Sequence, residues 1–300
     1  MTGVLVFGVA VMDFVLFVDA FPDAAEKYRA EDAVAVGGGC GANAAVAISR
    51  LGGHAHLSAR LGSDAVGDLI AAELQAEGLD TSGLNRAACG RSSFSSILVD
   101  SKGERQIVNF RGSSLAKSAD WLTLPVDTGA VLTDTRWPAG TRRSLQLAQT
   151  ASIPGIVDAE APLDPDDIAA ASHVTFSAQG LRSLYPDLPL REALQRYQLT
   201  HGGWACVTDG ADGVRFTGPA GTGHLPAYPV DTVDTLGAGD VWHGAFALRL
   251  AEGATEAQAV RFANAAAAIK CTRRGGRAGT PARSEVETFL REREDATNGR

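Results

Sequence analysis

Between residues 130 and 208 four short apolar runs recur, Ala130–Thr135, Ile156–Ala159, Val174–Ser177 and Trp204–Thr208, with helical stretches such as Arg142–Gln149 and Leu190–Leu199 between them. Runs this short with continuous apolar character fit strands buried on both faces. Strands alternating with helices predict a parallel sheet covered by helices on each side. The remaining chain extends the pattern at both ends. Val4–Val9 reads as a further central strand, Ala42–Leu51 as a helix stopped by Gly52 and Gly53, and Ala55–Leu61 as a strand. Asp64–Glu77 reads as an amphipathic helix with Asp64 as N-cap and Gly78 as its stop. Strong helices are predicted at Ala238–Ala251, Thr255–Cys271 and Arg283–Glu292, and the polar tail from Arg291 is expected to fray.

Two early segments break this rhythm. Phe14–Ala20 and Tyr28–Val36 alternate apolar with polar residues, and Ser92–Asp100 and Glu104–Phe110 flank a hairpin turn at Ser101-Lys102-Gly103. Their half-exposed pattern predicts a small antiparallel sheet, formed from roughly 13–36 and 91–112 and inserted into one α/β domain over residues 1–300. Such a sheet beside a large body serves as a lid.

Charge and cysteine usage narrow the function. Twenty-seven basic against 35 acidic side chains give a formal charge of −8, which argues against a general nucleic-acid or membrane-surface binder. The four cysteines, Cys40, Cys89, Cys206 and Cys271, show no C-x-x-C spacing, so a zinc or redox motif and a disulfide framework are not expected. No basic region precedes the first apolar run and no apolar stretch is long enough to span a bilayer, so a cytoplasmic location is expected.

Glycine is in excess, 34 of 300 residues, and clusters. Gly37-Gly38-Gly39-Cys40-Gly41-Ala42-Asn43 stands between a strand and a helix. Gly39-x-Gly41-x-x-Ala44 formally matches a dinucleotide fingerprint, but the next strand ends at Arg60-Leu61-Gly62 with no ribose-binding carboxylate. NADP binding, a plain tight turn and a sugar site read by backbone amides and Asn43 are three readings of this loop. The second cluster, Asp234-Thr235-Leu236-Gly237-Ala238-Gly239-Asp240, opens a helix. Small residues at 237–239 let successive amides converge, and the helix dipole adds positive potential, which makes an anion hole for a transferring phosphoryl group. Asp240 is either a helix cap or the base that takes a proton from an attacking hydroxyl.

The run Asp234-Thr235-x-Gly237-Ala238-Gly239-Asp240 resembles the C-terminal signature of the ribokinase-like (PfkB) carbohydrate kinases, and Gly37-Gly38-Gly39…Asn43 resembles their N-terminal one. The resemblance extends over nearly the whole chain and includes Asp13, Thr208-x-Gly210-x-x-Gly213 and Lys270-Cys271-Thr272-Arg273-Arg274-Gly275-Gly276. It implies a three-layer ribokinase-like fold with a mostly parallel sheet, flanking helices and a β-sheet lid. It also implies an ATP- and Mg²⁺-dependent sugar kinase. Asp240 would be the base, with Gly237, Ala238 and Gly239 around the phosphate. Asp13, Gly38, Gly39 and Asn43 would bind the sugar. Thr208, Gly210, Gly213 and Asn264 would line the nucleotide, and Asp234 with the Leu236 carbonyl would join a K⁺ site. No G-x-x-x-x-G-K-[ST] loop is present, and Phe176-Ser177-Ala178-Gln179-Gly180-Leu181 stands where many relatives have the N-x-x-E segment that organises Mg²⁺.

Within the family the chain resembles the bacterial sulfofructose kinases in Glu26-Lys27-Tyr28, Asp134-Thr135-Arg136-Trp137 and the segments around 100–105, 176–181 and 270–279. That likeness implies phosphorylation of 6-deoxy-6-sulfofructose at C1, with Lys27, Asn109 and Arg136 converging on the sulfonate. Fructokinase, ketohexokinase and ribokinase specificities are the alternatives, as is a non-catalytic sugar sensor on the same fold. Arg273, Arg274 and Arg277 are read as structural support rather than ligand contacts. A homodimer through the lid is a further expectation.

Overall fold

The computed structural model describes residues 2–298, with the side chains of 296–298 left aside. Its centre is a nine-stranded sheet. The strands are β1 (Gly3–Phe7), β4 (His54–Gly62), β5 (Leu84–Ala87), β8 (Thr128–Asp134), β9 (Gly155–Ala159), β10 (His173–Ser177), β11 (Trp204–Thr208), β12 (Val214–Gly218) and β13 (Gly221–Leu225), and β2, β3, β6 and β7 form a second sheet. The spatial order is β13-β12-β11-β10-β9-β8-β1-β4-β5. From β11 to β5 every pairing is parallel, and the β11-β12-β13 end is antiparallel. All five residues of β1 are buried, as are all five of β9, which is what their unbroken apolar character requires of central strands.

Helices cover both faces. On one lie α1 (Cys40–Arg50), α6 (Ala238–Ala251), α7 (Glu256–Cys271) and, behind them, α8 (Arg283–Asn298); α2 (Ala65–Ala76) joins β4 to β5. On the other face lie α3 (Pro138–Ala151), α4 (Ala178–Leu184) and α5 (Leu190–His201). The first face buries the Ala-rich core of α1, α6 and α7, and the second packs Phe176, Leu181, Leu194 and Tyr197. Close helix packing follows from small residues. At Gly244 a Cβ would stand 2.5 Å from the Ala44 carbonyl oxygen, so α6 can lie against α1 only with glycine there.

The second sheet has the order β3-β2-β6-β7, with β2 (Val11–Phe17), β3 (Asp32–Gly38), β6 (Phe94–Val99) and β7 (Arg105–Phe110). Its outer pairs are antiparallel, but β2 and β6 at its middle run parallel, so it is mixed rather than wholly antiparallel. Phe14 and Phe94 pack towards the body at 6.0 Å between ring centroids, while Val34, Val36, Ile107 and Val108 are exposed.

Several boundaries differ from expectation. The expected strand from Tyr28 begins only at Asp32, because the Tyr28 hydroxyl accepts hydrogen bonds from Asp23 N and Ala24 N and holds residues 23–28 in a loop. Lys27 therefore lies in that exposed loop and not in a strand. The tail from Arg291 continues α8 to Asn298 instead of fraying, and the last two residues lie outside the described chain. Among the described residues no helix is long and apolar enough to cross a membrane.

Candidate active site

Parallel strands deliver their C-terminal ends to one edge of a sheet, where crevices form. Here that edge collects Asp134 from β8, Asp158 and Glu160 from the end of β9, Ser177 from β10 and Thr208 from β11. The N-termini of α1 and α6 meet above it. Gly39 precedes α1 with φ of 94°, and Gly237 precedes α6 in the left-handed region with φ of 74°. Both conformations favour glycine.

Asp240 lies in the first turn of α6 and is half-buried. Its Oδ2 accepts a hydrogen bond from Asn43 Nδ2 at 2.7 Å, across the α1–α6 packing that Gly244 permits. The other Asn43 amide atom, Oδ1, has no protein partner. Desolvation, reinforced by the negative field of Asp158, pushes the Asp240 carboxyl up to about 7, against the opposing effect of the Asn43 hydrogen bond. A carboxylate held near neutrality is suited to accept a proton in the physiological range.

The amides ahead of Asp240 divide. The first amides of a helix lack intrahelical acceptors. Ala238 N turns onto the Thr235 carbonyl at 3.1 Å, and Val241 N is bonded to the Gly237 carbonyl at 3.0 Å. The amides of Gly239 and Asp240 fall between these two bonds, and a Cβ at Gly239 would meet nothing within 4 Å. Of the amides expected to form the cradle at 237–239, that of Ala238 closes the turn onto Thr235.

Behind Asp240 lies an acidic cluster that the sequence reading missed. Asp158 is buried, its carboxyl is pushed well above the usual range by desolvation and by Glu160 and Asp134, and its Oδ1 has no partner. His243, one turn beyond Asp240, stands 3.6 Å from Asp158, and burial pulls its imidazole below the usual value. Asp134 accepts from Val9 N at 2.7 Å, Arg136 N at 2.9 Å and the Cys40 thiol at 3.2 Å. Burial and neighbouring carboxylates push the Cys40 thiol well up, so it stays a neutral donor. Gly8 allows this arrangement: a Cβ there would lie 2.5 Å from Asp134 Oδ2 and 2.9 Å from Gly41 Cα. Asp158-x-Glu160 at a strand end was a readable signal, but its partners come from β8, α1 and α6 and are remote in sequence.

Asp13 on β2 lies over β3, where a Cβ on Gly38 would stand 2.4 Å from its Oδ2. Desolvation raises the Asp13 carboxyl, and its bond with Ser95 lowers it in part. Gly37 is overlain by the buried guanidinium of Arg277, which pairs with Glu73 at 2.7 Å, and Arg273 pairs with Glu285.

Beside the cleft a cavity of about 700 Å³ is lined by Gly8, Val9, Asn109, Arg111, Arg136 and Arg60, among others. Arg136 pairs with Glu160, and Asn109 Nδ2 donates to the Phe94 carbonyl and to Ser95 Oγ, each at 3.2 Å. Lys27 does not line this cavity, so only two of the three residues expected to converge there do so. The guanidinium stacked on Trp137, 3.8 Å from the ring centroid, belongs to Arg60.

The remaining expected residues are placed as follows. Thr208 ends β11, and its hydroxyl donates to the Phe176 carbonyl at 3.4 Å. Gly210 and Gly213 form the turn into β12 with φ of 53° and 85°. Asn264 is buried and engaged: its Oδ1 accepts from Trp242 Nε1 at 2.8 Å and its Nδ2 donates to the Pro226 carbonyl at 3.2 Å. Through these bonds Asn264 anchors the segment after β13. Asp234 accepts from Leu236 N at 2.9 Å and Gly275 N at 3.0 Å, and the fully buried ammonium of Lys270 donates to the Asp234 carbonyl at 2.7 Å, 3.5 Å from its carboxylate. Lys270 thus places a positive charge beside Asp234, one of the two residues expected at a cation site. Gly39-x-Gly41-x-x-Ala44 follows a strand of the small sheet rather than the main sheet, which removes the structural context a dinucleotide fingerprint needs.

The sequence pattern of the pfkB family of carbohydrate kinases matches residues 1–283. The chain is 32% identical to ribokinase of Bacillus subtilis over 97% of this chain and 100% of that protein. It is 28% identical to fructokinase-1 of Oryza sativa over 83% of this chain and 86% of that protein. The solved structure of ribokinase from Thermotoga maritima superimposes with a TM-score of 0.86 at 29% identity, covering 97% of this chain and 100% of that one.

Proposed function

We propose a mechanism and a substrate class for this chain, which belongs to the pfkB family of carbohydrate kinases and is thereby a phosphotransferase with an alcohol acceptor. The substrates are ATP and a sugar. The sugar lies under the small sheet, held by Asp13, the backbone at Gly38 and Gly39, and Asn43 Oδ1. Asp240 takes the proton of a primary hydroxyl, which attacks the γ-phosphate in line. Amides at the start of α6, above all those of Gly239 and Asp240 beside Gly237 and Ala238, stabilise the charge on the transferring group. The nucleotide lies along Thr208, Gly210 and Gly213, next to the segment that Asn264 anchors. The observation that carries this reading is Asp240 at a helix N-terminus, held by Asn43 and poised near neutrality.

Asp158 fits the Mg²⁺ that accompanies ATP, because its buried Oδ1 lacks a protein partner, and Glu160 stands two residues on. These carboxylates would hold the ion directly or through water, and the ion would neutralise phosphate charge. Lys270 supplies at Asp234 the positive charge that a K⁺ ion would otherwise bring beside Asp234 and the Leu236 carbonyl.

For the sugar, the reading assigns Arg60, Arg111, Arg136 and Asn109, which share their cavity with Asp134, Asp164 and Asp167, to a ketose with an anionic terminus, such as 6-deoxy-6-sulfofructose phosphorylated at C1. Guanidinium groups bind such anions through charge-assisted bonds. Exposed Lys27 can join only by movement of its loop. The second reading, a neutral furanose such as ribose or fructose, is favoured by the ribokinase and fructokinase relatives. Initial-rate assays with 6-deoxy-6-sulfofructose, fructose and ribose separate the two. The anionic reading expects Arg136→Ala to raise KM for the sulfosugar at least about tenfold while leaving neutral sugars unchanged. Equal effects on all three sugars, or no turnover of the sulfosugar, would refute it. The exposed Val34, Val36, Ile107 and Val108 support pairing of the small sheet with that of a second copy.

A further inference from the structure

At the opposite edge of the main sheet, where the parallel strands begin, a second group of polar side chains converges. His54 and His56 lie two residues apart on β4 and so project from the same face. Asp127 immediately precedes β8. Between β4 and β8 runs β1, with Gly3 paired to His54 on one side and to Thr128 on the other. The Asp127 carboxylate reaches across it to both imidazoles, Oδ2 to His54 Nδ1 at 2.9 Å and Oδ1 to His56 Nε2 at 2.8 Å. The two rings stand 4.2 Å apart.

This crossing depends on Gly3. A Cβ at that position would stand 2.9 Å from Asp127 Oδ2 and 2.9 Å from His56 Nε2, so any other residue would occupy the space in which the three groups meet. One ligand atom from each residue lies within 4.8 Å of the others. The vertices of a tetrahedron with metal–ligand bonds of ~2.0–2.1 Å are ~3.3 Å apart, so donors within 4.8 Å of one another reach that geometry by side-chain rotation without a change of backbone. Side-chain exposures of 46%, 15% and 40% for His54, His56 and Asp127 leave a path for the ion and room for water as a fourth ligand. Asp80, bridged to β4 at His56, places a second carboxylate in the field of the imidazoles.

We infer that His54, His56 and Asp127 form a binding site for a divalent transition-metal ion of the zinc class, which clips the start of β4 to the start of β8 across Gly3. Two imidazole nitrogens and one carboxylate oxygen are borderline donors that suit Zn²⁺, Co²⁺ or Ni²⁺ over Mg²⁺. The ion would act on stability, because its ligands lie at the sheet edge opposite Asp240. H-x-H on a strand is a weak sequence signal, and its third ligand is 71 residues from His56.

The test is calorimetric titration of the full-length, nucleotide-free protein with ZnCl₂, alongside Co²⁺ absorption spectroscopy. The inference expects saturable binding with an equivalent lost in His54→Gln/His56→Gln, or weakened there at least about a hundredfold. It also expects a Zn²⁺-dependent rise in Tm that Gly3→Val removes, and Co²⁺ bands of nitrogen–oxygen type without thiolate charge transfer. Should the double variant fail to fold, Asp127→Asn read by Co²⁺ spectroscopy serves in its place, with loss of the bands expected. Unchanged stoichiometry and affinity in these variants, thiolate-type Co²⁺ bands or absence of saturable binding would overturn it.

Discussion

If Asp240 is the base proposed above, its hydrogen bond from Asn43 sets the pH at which it becomes competent. Asn43 Nδ2 donates at 2.7 Å to the carboxylate form of Asp240, and this interaction opposes the desolvation and the Asp158 field that hold Asp240 at about 7. A hydrogen bond to a charged acceptor is worth ~1.5–3 kcal/mol, and 1.36 kcal/mol corresponds to one pKa unit. Asn43→Ala should therefore raise the Asp240 pKa by about 1–2 units. The base is needed ionised, so the acidic limb of the kcat/KM profile should move upward by the same amount. At pH 7 the ionised fraction would fall from about one half to about 1–10%, a loss of roughly fivefold to fiftyfold that alkaline buffer restores. A separate loss of sugar contact would raise KM equally at every pH, so the shift of the limb isolates the electrostatic effect. Initial rates with ATP and the best sugar between pH 5.5 and 9.5 measure it. An unmoved limb, or one displaced downward, would refute the coupling.

Other consequences concern packing and charge. Gly244→Ala puts a methyl group 2.5 Å from the Ala44 carbonyl; it should destabilise the fold by about 1–3 kcal/mol in urea titrations and lower kcat by parting Asn43 from Asp240. Lys270→Met removes the buried ammonium that serves Asp234; it should cost about 1.5–3 kcal/mol, and kinase rates assayed with and without K⁺ should gain more from the ion in the variant than in the parent. Asp240→Asn should raise Tm above pH 7. The fold raises the Asp240 pKa from 3.8 to about 7, so the parent loses stability as pH climbs through that window, and an amide cannot ionise. The Tm difference should shrink towards zero below pH 4.

The main sheet was legible because its strands are short, apolar and punctuated, and Ala238–Ala251 matches α6 at both ends. The β12–β13 hairpin was not foreseen, although Gly218 and Gly221 flank its turn, because the strand–helix rhythm before it led the reading. Lys27, expected beside Asn109 and Arg136, lies apart from them because the bond from the Tyr28 hydroxyl to Asp23 folds its segment into a loop. In the site, residues with unusual local chemistry were readable: Asn43 and Asp240 each follow a glycine cluster. Their mutual contact was not, since it depends on Gly244 letting α1 approach α6. The contacts of Asp134 with Cys40 and of Arg60 with Trp137 were not legible either, since they join residues 94 and 77 positions apart, and Asp158 carried no motif of its own beyond the Asp158-x-Glu160 spacing.

The central claim is that Asp240 removes the proton from the acceptor hydroxyl. Its most direct test is Asp240→Asn, with phosphoryl transfer from ATP and sugar binding measured on the same preparation. Turnover should fall by about 10²–10⁴-fold while the sugar Kd stays within a few-fold of the parent. Turnover within tenfold of the parent, with sugar bound normally, would contradict it.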